Sequence, residues 1–196
     1  MTLLDPTARG TFDPERFAQS QAAHGRLLAK WRAAMDLIGP GPAEPHFQDC
    51  RGAIAELDAA GPWADLGSGA GFPGIALAGA YPAATVELVE SRRKRSTFLE
   101  KVVFEARLDN ATVRNIRSET LDAGTYVGVI SRAYKPPRKV LADASRLLVP
   151  GGRVVLLLGS QAAIDEPLGW TIIDRRHYDV GDGQRLRVVL QKSPSS

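Results

Sequence analysis

The chain has 196 residues, enough for one domain that buries roughly 70% of its unfolded surface and a squeeze for two. Its one cysteine, Cys50, excludes a disulfide framework or a multi-thiol zinc site, and the acid-bearing start MTLLDPTARGTFDPERF lacks an apolar signal stretch, so a reduced, cytoplasmic protein is expected. Its 25 Lys and Arg against 22 Asp and Glu give a net charge of +3, too small to name a partner, and its longest apolar run, Val154 to Leu158, falls far short of the ~20 residues that span a bilayer.

The first predicted element is a helix. Asp13 suits its N-cap and Pro14 its first turn, and Leu27, Trp31, Ala34 or Met35, and Ile38 recur at helical spacing until GPGPAEP stops it. A second helix is expected over His46 to Asp58. After AAGP the texture changes. Short apolar runs (WADL, TVELVE, ATVRN, VGVIS, RVVLLL) alternate with helix-like segments (GIALAGAY, RRKRSTFLEKVVFEARL, PRKVLADASRLL), which predicts a parallel sheet covered on both faces. Near the end, WTIIDRRHYDV and QRLRVVLQK read as two strands joined by GDG, a hairpin turn. One domain over 1–196 is expected, with a helical N-terminal extension (1–60) and an α/β core (61–196). The core is expected to be an α/β, Rossmann-like, mostly parallel seven-stranded sheet with an antiparallel C-terminal hairpin, the plan of a class I S-adenosylmethionine-dependent methyltransferase.

The stretch WADLGSGAGFPG can be read in two registers. Gly69, Gly71 and Gly74 spell the dinucleotide fingerprint, whereas Asp65, Gly67, Gly69 and Gly71 spell the D-x-G-x-G-x-G loop of a methyl-donor site. A carboxylate at the end of a doubly buried strand is costly unless something uses it. In the methyl-donor register Asp65 orders the turn and meets the ammonium of S-adenosylmethionine, directly or through water. In the dinucleotide register it has no role and repels a pyrophosphate. Glu90, at the end of the next predicted strand, suits ribose hydroxyls in either class. No tyrosine has a lysine four residues on, as short-chain dehydrogenases require, so the methyl-donor register is the better reading.

Basic residues cluster at Arg92 to Arg95, at Lys135, Arg138 and Lys139, at Arg175 and Arg176, and along the first helix at Arg26, Lys30 and Arg32. They form a phosphate-facing surface if they converge, and solvated faces if they do not. His24, His46 and His177 are too scattered for a metal cluster, so no metal is expected. Phe72 and Tyr134 fall on loops at the cofactor side, where they would stack on a flipped base, while Trp31, Trp63 and Trp170 read as core.

The segments DLGSGAGFPGIALA, VELVESRRKRSTFLEKV, IRSETL and VISRAY together resemble the bacterial N7-guanine methyltransferases of small-subunit (16S) ribosomal RNA, the family once called glucose-inhibited division protein B. The resemblance runs from about Lys30 to Val155, with KWRAAMDLIGP and HFQDC as looser echoes. It implies Asp65, Gly67, Ser68, Gly69 and Gly71 around the amino-acid part of S-adenosylmethionine, with Phe72 beside them, Glu90 on the ribose, and Ser118 and Glu119 beside the adenine. It also implies Arg132 at the mouth, as the one residue counted as catalytic, meeting the cofactor carboxylate or an RNA phosphate. The implied partner is 16S ribosomal RNA, free or within the small subunit, and the chain is expected to act as a monomer away from membranes. No general base is expected, because guanine N7 carries a lone pair and no proton. Two departures stand out: Leu158-Gly159 where the family has Lys-Gly, and Asp36-Leu37-Ile38 for Asn-Leu-Thr. They keep open a paralogue acting on another RNA or a small molecule, or a non-catalytic RNA-binding module.

Overall fold

The computed structural model describes residues 4–193. Helix α1 (Pro14–Met35) starts where Asp13 accepts a hydrogen bond from the Arg16 N–H at 2.9 Å, with proline in its first turn. Its buried face is Phe17, Ala23, His24 and Leu28, while Leu27 and Trp31 of the anticipated stripe are only half-buried. The rotation follows from the partner. Every residue of α3 (Gly74–Ala80, GIALAGA) is buried, and its small side chains let the N-terminal half of α1 lie close.

Helix α2 spans Glu44–Ile54 and not His46 to Asp58. Glu56 and Asp58 adopt left-handed backbone (φ 59° and 48°), which ends the helix and turns the chain into β1. There the Leu57 N–H donates to the Tyr81 hydroxyl.

Strands β1 (Gly61–Leu66), β2 (Ala84–Val89), β3 (Ala111–Arg114), β4 (Tyr126–Arg132) and β5 (Leu148–Gly159) pair in parallel, followed by β6 (Trp170–Val180) and β7 (Gly183–Lys192). The sheet order is β3-β2-β1-β4-β5-β7-β6, with β7 antiparallel to both β5 and β6. Helices α4 (Arg93–Glu105) and α5 (Pro137–Leu147) complete the wrapping.

Alternation along the strands divides the apolar interior into two layers. Trp63, Leu88, Phe98 and Ile130 pack with α1 to α4, while Leu66, Val129, Leu147 and Val188 pack with α5 and the hairpin. The N-terminal helices therefore share one core with the sheet. Trp63 is fully buried and Trp170 nearly so, as core tryptophans should be. The chain order reverses between β1 and β4, and the crevice outside the carboxyl ends of strands at such a switch is where open α/β sheets bind ligands. Asp65, Glu90 and Arg132 all lie at that end.

Candidate cofactor and acceptor site

Asp65 is fully buried beneath the glycine loop. Its Oδ2 accepts the Gly74 N–H at 3.1 Å, tying the end of β1 to the start of α3, while Oδ1 has no partner. Burial raises its pKa to about 7, although the Gly74 hydrogen bond and the Arg132 charge favour the ionised form. The Ser68 hydroxyl donates to the Asp65 carbonyl and the Gly71 N–H to the Ser68 carbonyl, closing the turn. Gly67 sits at φ 72°, and a Cβ there would fall 2.3 Å from the Tyr134 ring, so only glycine fits.

From below, His24 holds the same loop. Its Nε2–H donates to the Ala70 carbonyl at 2.7 Å, leaving Nδ1 without a partner, and burial lowers its pKa to about 4.

A cavity of about 350 Å³ opens above the loop, lined by Gly67, Glu90, Ser118, Glu119, Arg95 and Tyr134 among others. Glu90 is fixed by two backbone donors, the Gly69 N–H at 3.0 Å and the Arg92 N–H at 2.7 Å. Ser118, in a 3-10 turn (Ser118–Thr120), shares a 2.7 Å hydrogen bond with the Tyr134 hydroxyl. Lys135 bridges Glu119 and Asp143, each at 2.8 Å. Burial opposes its charge, but these two carboxylates outweigh it and hold the ammonium above its ordinary pKa.

Six nominated residues lie outside that lining: Asp65, Ser68, Gly69, Gly71, Phe72 and Arg132. Asp65, Ser68 and Gly71 shape the loop from within, as their hydrogen bonds show. Phe72 departs most from the sequence reading. It is 4% exposed and covered by His24, His46, Phe47 and Arg132, so its ring is unavailable to a flipped base. Arg132 donates to Asp49 Oδ2 at 3.0 Å instead of standing free. It lines a second cavity of about 440 Å³ with His46, Asp49, Leu158 and Arg185. The two cavities share Ala133 and Lys135.

A family model described as "rRNA small subunit methyltransferase G" matches residues 19–167. The chain belongs to this family. It is 36% identical over 188 residues to the "Ribosomal RNA small subunit methyltransferase G" of Xanthomonas oryzae pv. oryzae, covering 90% of this chain and 88% of the relative. Against the protein of the same name from Halorhodospira halophila it is 34% identical over 139 residues, 69% of this chain and 66% of that one. The fold matches a solved SAM-dependent O-methyltransferase from Thermotoga maritima with a TM-score of 0.59 at 15% identity, covering 86% of this chain and 72% of the other. By family and fold, this methyltransferase G relative is an S-adenosylmethionine-dependent methyltransferase of class I.

The site of this family member fits such a donor on two local grounds. Gly67 and Glu90 line the cavity beside the loop, and Asp65 Oδ1 is a buried acceptor left without a partner. Sequence reasoning missed Asp49, Tyr178 and Arg185, which come from α2, β6 and β7 and carry no local motif. It also spread the charge too widely. Arg176 pairs with Glu56, Arg175 donates to the Ile164 carbonyl, and Arg138 lines a different cleft. Arg92, Arg93 and Lys94 are exposed, and among the described residues they form no ion pair. Cys50 is fully buried, which pushes its thiol pKa up and leaves it inert.

Proposed function

We propose that this chain methylates N7 of a guanine in 16S ribosomal RNA. The observation that carries the reading is the adjacency of two cavities across Ala133, one floored by the glycine loop and Glu90, the other lined by cationic side chains. The names of the relatives support small-subunit ribosomal RNA as the substrate, and the family resemblance read from the sequence supports guanine N7. When bound, S-adenosylmethionine supplies an electrophilic methyl on its sulfonium.

The chain's own residues hold and orient. Glu90, already fixed by two N–H donors, keeps lone pairs for the ribose hydroxyls, and Ser118 with Glu119 borders the adenine. Arg132 lines the second cavity and Arg95 the first, so we assign the cofactor carboxylate to Arg95, whose guanidinium lies 3.6 Å from the Cβ position of Gly69. The acceptor nitrogen has a lone pair and no proton to lose, so in-line placement against the methyl is the protein's main task, and no general base is required.

Leu158 favours a second reading. It lines the acceptor-side cavity where the family resemblance places a lysine, so the chain would act on a different RNA. Against this, Arg185 faces Gly159 across the β5–β7 ladder and brings a cation to the same cavity, as Lys135 does from the opposite side. The deciding experiment incubates the purified protein with S-adenosylmethionine and 16S RNA or small subunits, then maps N7-methylguanine. One modified guanine is expected. Methylation of another nucleic acid only, or RNA binding without transfer, rejects the reading.

A further inference from the structure

We propose that Asp49 and Tyr178 are positioning residues that aim Arg132 into the second cavity, and that this cavity seats a purine whose edge offers an oxygen acceptor. The inference rests on the proposed methyl transfer to guanine. Ala133 is left-handed (φ 51°), and this kink sends its neighbours apart: Arg132 lines the acceptor-side cavity and Tyr134 the cofactor-side one. An arginine carries five N–H donors. Here Asp49 Oδ2 takes Nη1 at 3.0 Å, and Nε and Nη2 have no partner among the described residues. Phe72 lies 4.9 Å beneath the guanidinium, so the unused donors cannot swing under the loop.

Asp49 is itself held. Its Oδ1 accepts the Tyr178 hydroxyl at 2.7 Å, and Tyr178 reaches α2 only because Gly52 has no side chain, a Cβ there lying 2.3 Å from the ring. Both oxygens are engaged by Arg132 and Tyr178, and its side chain is only 8% exposed, so its carboxylate is turned to the guanidinium and not to solvent. Its charge is used to fix a cation.

The chemistry of the base then follows. Guanine presents two acceptors on its major-groove edge, N7 and O6, whereas adenine presents N7 beside an amino donor. A guanidinium fixed in place donates to O6 and leaves N7 free for the methyl. Opposite adenine, donor meets donor.

The test uses cofactor-loaded protein and 16S RNA. Tyr178→Phe and Asp49→Asn are each expected to lower kcat about ten- to a hundredfold, the range for hydrogen bonds to a charged group, with the dissociation constant for S-adenosylmethionine unchanged in calorimetry. In an Arg132→Ala background neither change should lower kcat further, an outcome that a merely structural role would not give. With wild-type protein, inosine at the target position should be accepted and 2-aminopurine, which lacks the oxygen, rejected. Wild-type turnover in Asp49→Asn, losses that simply add to that of Arg132→Ala, or equal use of 2-aminopurine would overturn the inference. Wild-type protein that binds cofactor and methylates no guanine would overturn the functional reading, and this inference with it.

Discussion

At the scale of single residues, two buried groups around the glycine loop titrate in opposite senses. Asp65 has a folded pKa raised from 3.8 to about 7, so its contribution to stability is complete below pH ~4 and lost as pH rises toward 7. His24 has its pKa lowered from 6.5 to about 4, so its contribution is present above pH ~6.5 and lost as pH falls toward 4. Each shift is worth roughly 3–5 kcal/mol, and between pH 4 and 6.5 the two slopes largely cancel. Chemical denaturation across pH should therefore show stability rising with pH in Asp65→Asn and falling with pH in His24→Gln, relative to the parent. Parallel curves would mean that neither group is perturbed as argued. The cofactor contacts belong to the same scale. Glu90→Ala should weaken S-adenosylmethionine binding by ~1–3 kcal/mol through lost charged hydrogen bonds. Arg95→Ala should weaken S-adenosylmethionine while sparing methylthioadenosine, which has no carboxylate. Equal loss for both ligands in calorimetry would remove Arg95 from that role.

Among the elements, the glycine loop was legible in the sequence because local chemistry writes it. A carboxylate at a strand end followed by glycines leaves few other readings, and the structure shows that carboxylate receiving the Gly74 N–H. The parallel strands and the hairpin were legible for the same reason, since each announces itself within about ten residues. What stayed hidden is contact between distant elements: Asp49 against Arg132, Tyr178 against Asp49, and Tyr134 over Gly67. Phe72 misled because a loop aromatic beside a cofactor motif looks exposed, yet α1 and α2 bring His24, His46 and Phe47 down onto it. The closeness of Tyr134 to the loop gives a prediction. Gly67→Ala forces a Cβ into left-handed backbone and into that ring, so ~1–3 kcal/mol of stability should be lost in thermal unfolding, together with cofactor binding. Unchanged binding would show that the loop and Tyr134 move apart freely.

For the molecule as a whole, the useful charge is concentrated. Arg92, Arg93 and Lys94 project from the start of α4 beside the cofactor-side cavity, whereas the hairpin arginines Arg176 and Arg187 are paired internally with Glu56 and Asp174. RNA affinity should fall steeply with salt. Replacing those three residues with alanine should reduce the slope of log affinity against log salt by ~2, from about 0.7 per phosphate contact on single strands. An unaltered slope would place the RNA elsewhere. Leu158→Lys tests the other side. With Arg185 and Lys135 already at that cavity, turnover on 16S RNA should stay within a few-fold, whereas a hundredfold rise, ~2.7 kcal/mol of barrier, would mean that this chain has left the family's substrate.

The strand order also sets a schedule for synthesis. β7 lies inside the sheet, between β5 and β6, so a growing chain exposes the edge of β5 until its final strand is made. The residues that line the cofactor-side cavity all lie before residue 136, yet Tyr178, which braces Asp49 against Arg132, arrives more than forty residues later and is seated only when β7 locks β6 into place. The segment that braces Asp49 is thus the last to be made, and the pairing of β5 on its free edge waits on the same segment.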